Sequence, residues 1–181
     1  DQTSAEVEQL IQVNLKAPIA ITHTLFDRLV AAVGKVVFVS SVVSQLPTKD
    51  FAVYTASKAA LDGFARSLAV EASGRFGVQI LHPGATRTDM HAKIGMEQAT
   101  YEKFKPADSV AAEMVQAIER SKRHIAIGFG NKMLRTASLV IPKLIERLSR
   151  KVPKGSTAKQ GHIVVTGGAD GIGGAIVEKY A

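Results

Sequence analysis

A chain of 181 residues fits one domain, or one domain with an extension. Its 46% hydrophobic and 22% charged residues exclude a disordered tail or a low-complexity polymer, and zero cysteines exclude disulfides, thiolate zinc sites and a cysteine nucleophile. The 23 Lys and Arg against 16 Asp and Glu give +7, which directs attention to nucleic acid, an acidic ligand or an anionic surface.

The opening stretch, Asp1 to Leu10, is polar and acidic, without the basic start and apolar run of a signal peptide. No apolar run approaches the ~18 residues that span a bilayer. A soluble cytoplasmic protein is the expectation.

Ser4 to Arg28 reads as a helix: Thr3 or Ser4 can cap it, and Leu10, Ile11, Asn14, Leu15 and Ile19 recur at helical spacing. Pro18 predicts a kink within it. Lys35 to Ser40 is a short apolar run of the kind buried on both faces of a parallel sheet. A polar loop from Ser44 to Asp50 leads to a second helix, Tyr54 to Ser73, and then to a buried strand, Val78 to His82, stopped by Pro83-Gly84. Ala85 to Tyr101 has no period and reads as a mobile loop or short helix. Asp108 is expected to cap a helix running to Arg120, before a third strand at Ile125 to Ile127. Lys132 to Lys151 is amphipathic and interrupted at Pro142, and Val152 to Gly161 reads as a linker. A fourth strand, His162 to Thr166, a glycine-rich turn and a helix from Ile172 close the chain. Helices alternating with uniformly apolar strands predict an α/β fold with a parallel sheet.

Three local patterns carry chemistry. Thr166-Gly167-Gly168-Ala169-Asp170-Gly171-Ile172-Gly173 stands between a strand and a helix, where glycines let backbone approach a pyrophosphate and the helix start offers free N–H groups. An ordinary tight turn is the competing reading. Tyr54-x-x-x-Lys58 spans about one helical turn, so both side chains project from one face. An ammonium there favours phenolate and is expected to lower the tyrosine pKa toward neutrality, which suits general acid–base work. An exposed aromatic beside a solvated lysine is the plainer alternative. Ser40-Ser41 ends a buried strand, at the side of an open α/β sheet where ligands bind. Serines also end strands merely to satisfy backbone groups.

Together these residues resemble the short-chain dehydrogenases/reductases. The matching positions are Thr166, Gly167, Gly171 and Gly173 of the glycine turn, Ser41, Tyr54 and Lys58, Pro83-Gly84 with Thr88, and Asn14. The resemblance implies a doubly wound, Rossmann-like parallel sheet in three αβα layers, and a catalytic set of Asn14, Ser41, Tyr54 and Lys58. It implies cofactor contacts from Gly167, Gly171, Ile172, Gly173, Tyr54, Lys58, Pro83, Gly84 and Thr88. Tyr54 would exchange a proton with a carbonyl or alcohol oxygen that Ser41 holds. Lys58 would bind the nicotinamide ribose and depress the Tyr54 pKa, and Asn14 would hold a relay water. Ile94, Met96 and Tyr101 would belong to a substrate lid. The implied reaction interconverts a small-molecule secondary alcohol and a ketone with NAD or NADP, in a homodimer or homotetramer.

The order of the motifs departs from the family's. The glycine turn closes this chain instead of opening it, only eight residues follow Gly173, and the second to fourth strands have no counterpart. In the doubly wound order one missing strand leaves a slot nearly ~10 Å wide beside Lys35–Ser40. An omitted stretch, a permuted or truncated chain, and strands supplied by another chain all fit that gap. The organisation read here is residues 1–130 as the carboxyl-terminal part of the domain, 131–152 a basic tail helix, 153–161 a linker and 162–181 the first strand, turn and helix. The acidic residue that marks NAD enzymes about 20 positions beyond the turn lies outside the chain. Asp170, where an acid would repel a 2′-phosphate, leans the reading to NAD.

Two rival readings follow. Residues 131–154 hold seven basic residues against Glu146 alone, most of the net charge, and could lie on an anionic membrane surface; a tail helix packed on its own domain is the alternative. The chain could also be an incomplete scaffold without catalysis. Nucleic acid is disfavoured by the lack of basic–aromatic interleaving, and the five histidines show no metal-ligand spacing, so no metal is expected.

Overall fold

The computed structural model describes residues 2–46, 48–88, 97–119 and 123–127, with Asn131, Met133 and Ala137. The chain divides into two units, Asp1–Arg150 and Lys151–Ala181, and the described residues all fall in the first. The glycine turn with Gly167, Gly171, Ile172 and Gly173, Asp170, and the loop residues Ile94 and Met96 lie outside them.

Thr3 starts helix α1 (Ser4–Ile11) through a reciprocal cap in which its hydroxyl accepts from the Glu6 amide at 3.3 Å and Glu6 Oε2 accepts from the Thr3 amide at 2.7 Å. From Gln12 to Lys16 the helix widens to a π turn, and α2 continues over Ala17–Ala31. Pro18 explains the widening. It has no N–H for the Asn14 carbonyl one turn earlier, so a π turn stands where the sequence predicts a kink, with Asn14 inside it. Helix α2 ends with the Gly34 amide on the Leu29 carbonyl at 2.9 Å and Val33 left-handed at φ 47°.

Strands β1 (Lys35–Val39), β2 (Gly77–His82) and β5 (His124–Ala126) form a parallel sheet with β2 in the centre. Phe38 pairs with Ile80, and Leu81 with Ile125. Alternate side chains face opposite ways, so each face of the sheet builds its own core. Phe38 and Ile80 pack with Leu61, Ala65, Leu68 and Ala72 of α3 (Ala52–Ala72) and with Phe26, Leu29 and Val30 of α2. Val37 and Leu81 face Val110, Met114 and Ala117 of α5 (Ala107–Ile118). Helices on both faces of a parallel sheet give the α/β architecture predicted from the alternation of elements, in the three layers that the resemblance implies.

Two details differ from the sequence reading. Helix α5 is preceded by Pro106 with no side-chain cap, and Asp108 sits in its first turn, where a carboxylate suits the helix dipole. Two-residue strands β3 (Thr86–Arg87) and β4 (Lys105–Pro106) form a separate parallel ladder too short to leave a periodic signal. Within the stretch read as a mobile loop or short helix, Gln98–Tyr101 forms the short helix α4. Among the described residues, no helix is long and apolar enough to cross a membrane.

Candidate active site

Strands β1 and β2 end side by side, and the chain segments beyond them are tied together. The Ser40 amide donates to the Leu81 carbonyl at 2.9 Å and the Val42 amide to the Pro83 carbonyl at 3.1 Å. Ser41 then caps a 3-10 turn, Val42–Gln45, accepting from the Val43 amide at 3.4 Å. This extended residue at a turn start is what aims its side chain at the first turns of α3. Ser41, Tyr54, Lys58, Pro83, Gly84 and Thr88 line one cavity of about 310 Å³ at the carboxyl ends of the strands, where ligands bind in open α/β sheets.

Tyr54 and Lys58 project from one face of α3, with the Lys58 ammonium 5.8 Å from the Tyr54 ring centre. Lys58 Nζ donates to the Val39 carbonyl at 3.1 Å, and the Ser40 hydroxyl donates to the Lys58 carbonyl at 3.4 Å, so the end of β1 and the residue after it hold this helix at both ends of the lysine. Burial raises the Tyr54 pKa above the ordinary phenol value, and a hydrogen bond with the Ser41 side chain pulls it down in part. The direction is opposite to the depression expected from Lys58: desolvation of the anion sets it. Burial likewise lowers the Lys58 pKa, against which the Asp62 carboxylate works.

Asn14 does not line the cavity. Its amide nitrogen donates to the Ser57 hydroxyl at 3.2 Å, and Ser57 donates to the Tyr54 carbonyl at 2.7 Å, which links the π turn to the back of the Tyr54 turn. Tyr101, on α4, is half-buried and also stands apart from the cavity lining. His82 is fully buried, its Nδ1 3.3 Å from the Ser41 carbonyl.

Two residues escaped the sequence reading. Asn131 lays its amide against Gly84: a Cβ there would stand 2.1 Å from Asn131 Nδ2, so glycine is what permits this approach. Nothing in the sequence links those positions. Asp62 is 2% exposed on α3 and accepts from the Ser44 hydroxyl at 2.8 Å. Its spacing was readable, since Tyr54, Lys58 and Asp62 recur every fourth residue along one helix stripe.

Fold and cavity define a doubly wound α/β domain with a ligand cleft at the strand ends. The chain belongs to the short-chain dehydrogenase family, whose model matches residues 1–99. It is 30% identical over 123 residues to an uncharacterized oxidoreductase of Escherichia coli K12, covering 67% of this chain and 49% of that one. A short-chain dehydrogenase from Streptomyces avermitilis superposes with a TM-score of 0.64 at 26% identity, over 84% of this chain and 64% of its own. A chain from Escherichia coli CFT073, described as a short chain dehydrogenase and solved with NADPH, superposes with a TM-score of 0.60 at 26% identity, over 70% and 55% of the two. The chain thus spans about half the length of the curated relative it matches.

Proposed function

We propose that this chain carries the catalytic part of an NAD(P)-dependent oxidoreductase that interconverts a secondary alcohol and a ketone, with Tyr54 as general acid and base. One observation carries the reading: Ser41, Tyr54 and, one helical turn on, Lys58 line a single cavity at the strand ends.

The donor set fits the nicotinamide half of a dinucleotide. Lys58 offers an ammonium for ribose hydroxyls, and the Pro83-Gly84 backbone and Thr88 offer groups for a carboxamide. When bound, the reduced nicotinamide supplies a hydride to the carbonyl carbon. Tyr54 gives its phenolic proton to the carbonyl oxygen, which thereby becomes the alcohol hydroxyl; in the oxidative direction the same oxygen returns the proton. Ser41 donates to that oxygen and holds it within reach of Tyr54. A raised Tyr54 pKa keeps the phenol protonated at neutral pH, which suits reduction.

NADPH in a solved relative supports a nicotinamide dinucleotide in general, and the NAD preference read from Asp170 draws no support from it. Homodimer or homotetramer assembly and a cytoplasmic location remain parts of this reading that rest on the family likeness.

The test is Tyr54→Phe in the full chain with a panel of ketones and NADPH. Turnover is expected to vanish while quenching or enhancement of NADPH fluorescence on binding is kept. Retained turnover refutes the acid–base role, and unchanged NADPH emission at saturating wild-type protein favours the non-catalytic scaffold.

A further inference from the structure

Behind the cavity wall lies a buried polar cluster that the proposed reaction does not use. Asp62 sits at its centre, 2% exposed, with Ser44 7% and His82 0% exposed around it. Its Oδ2 accepts from the Ser44 hydroxyl at 2.8 Å and lies 3.8 Å from His82 Nδ1. Its other oxygen, Oδ1, is buried with no hydrogen-bond partner among the described residues. A half-satisfied carboxylate in a small core is costly, and an apolar residue at this position of the α3 stripe would avoid the cost. Such a group calls for a reason beyond packing.

Its surroundings explain it. Ser44 belongs to the 3-10 turn that Ser41 starts. His82 is the last residue of β2, directly before Pro83-Gly84, and its Nδ1 also reaches the Ser41 carbonyl at 3.3 Å. That carbonyl can only accept, so Nδ1 carries a proton in this contact. On the far side of the ring, Nε2 lies 3.4 Å from His124 Nδ1. Lys58 stands one turn before Asp62 on the same helix face.

We propose that Asp62 is a positioning residue of this site: its buried carboxylate joins the helix bearing Tyr54 and Lys58 to the turn behind Ser41 and to the strand end that leads into Pro83-Gly84, and it sets the charge environment of Lys58. Asp62 touches neither cavity nor reacting atoms. It acts through Ser44 on Ser41, through His82 on Ser41 and Pro83, and through its field on Lys58. The direction of the Lys58 shift agrees, since the Asp62 charge opposes the loss of the ammonium to burial. The titratable groups facing Asp62 are Lys58 from its own helix and His82 from β2, with His124 of β5 behind the latter; the 3-10 turn contributes the neutral Ser44. The inference deepens the oxidoreductase reading and rests on it for its catalytic part.

The experiment uses the full chain with 13C-dimethylated lysines and 13C-labelled tyrosine rings, followed by NMR against pH, beside kcat and KM with NADPH. Lys58 and Tyr54 signals are assigned by their loss in Lys58→Arg and Tyr54→Phe. In Asp62→Asn the Lys58 signal is expected to titrate at lower pH than in wild type, and kcat to fall roughly ten- to a hundredfold with KM for NADPH little moved. In Ser44→Ala the carboxylate stays, so Lys58 is expected to titrate as in wild type. There the loosened Ser41 turn weakens its hydrogen bond to Tyr54, whose signal is expected to titrate at higher pH. An unmoved Lys58 titration in folded Asp62→Asn overturns the proposal. Should that variant not fold, an unmoved Tyr54 titration in Ser44→Ala overturns it. Neither titration needs turnover, so an active Tyr54→Phe refutes the acid–base role of Tyr54, and unchanged NADPH emission the oxidoreductase reading, without deciding this one.

Discussion

Gly84 and Asn131 offer a sharp test of the cavity wall. Replacing Gly84 by Ala puts a methyl group 2.1 Å from Asn131 Nδ2 and 2.6 Å from its Cγ, well inside contact distance. The whole amide must swing away, and it then loses its 2.7 Å hydrogen bond to the Ile127 carbonyl. A lost hydrogen bond that leaves a buried partner unpaired costs about 1–3 kcal/mol. For a domain of this size that lowers Tm by roughly 2–4 °C per kcal/mol. Gly84 is not in the left-handed region, so alanine suits its backbone. Once Asn131 is itself replaced by Ala, the obstacle is gone. Gly84→Ala is then expected to change sign and stabilise by about 0.4–1 kcal/mol through the unfolded chain. The assay is urea unfolding of the two single variants, the double variant and the wild type, followed by far-UV circular dichroism. A coupling of about 1–3 kcal/mol is expected from the cycle. Additive effects would refute the reasoning, because they would mean that Asn131 does not occupy the space beside Gly84.

Other substitutions have equally defined outcomes. Val33 is a β-branched residue at φ 47° and 75% exposed, so Val33→Gly should raise unfolding stability by about 1 kcal/mol, read as a higher urea midpoint. Leu61 is 2% exposed between the sheet and α3, so Leu61→Ala should cost about 2–5 kcal/mol by the same assay. For pH, the sign follows from Tyr54 acting protonated in reduction. Its raised pKa keeps kcat for ketone reduction level through neutrality, with loss only as pH climbs past the ordinary phenol value. Ser41→Ala removes the hydrogen bond that lowers this pKa, so the remaining activity should decline at still higher pH; a decline at lower pH contradicts that assignment.

Much of the site was legible because its residues come in short, locally defined patterns. Tyr54 and Lys58 share a helix face through spacing alone, Ser41 follows an apolar strand, and Pro83-Gly84 ends another. The α/β class was legible for a similar reason: short, largely apolar runs such as Val36–Val39 and Val78–Leu81 need cover on both faces, and amphipathic helices supply it. Propensity and periodicity act within about a dozen residues, so they also anticipated α2, α3 and α5.

Length, composition and spacing thus indicated the class and the charge imbalance and singled out Tyr54 as a candidate acid, whereas everything depending on contacts distant in sequence waited for the fold. Asn14 meets Ser57 across 43 positions, His82 meets Ser41 across 41, and Asn131 closes on Gly84. The direction of the Tyr54 shift belongs to the same group. Spacing places a cation nearby, but the sign depends on how much water the surrounding elements remove, and here burial sets it. The +7 charge, which opened the question of partners, says nothing about this cavity: one ammonium, Lys58, faces it among the residues described, held by the backbone of β1.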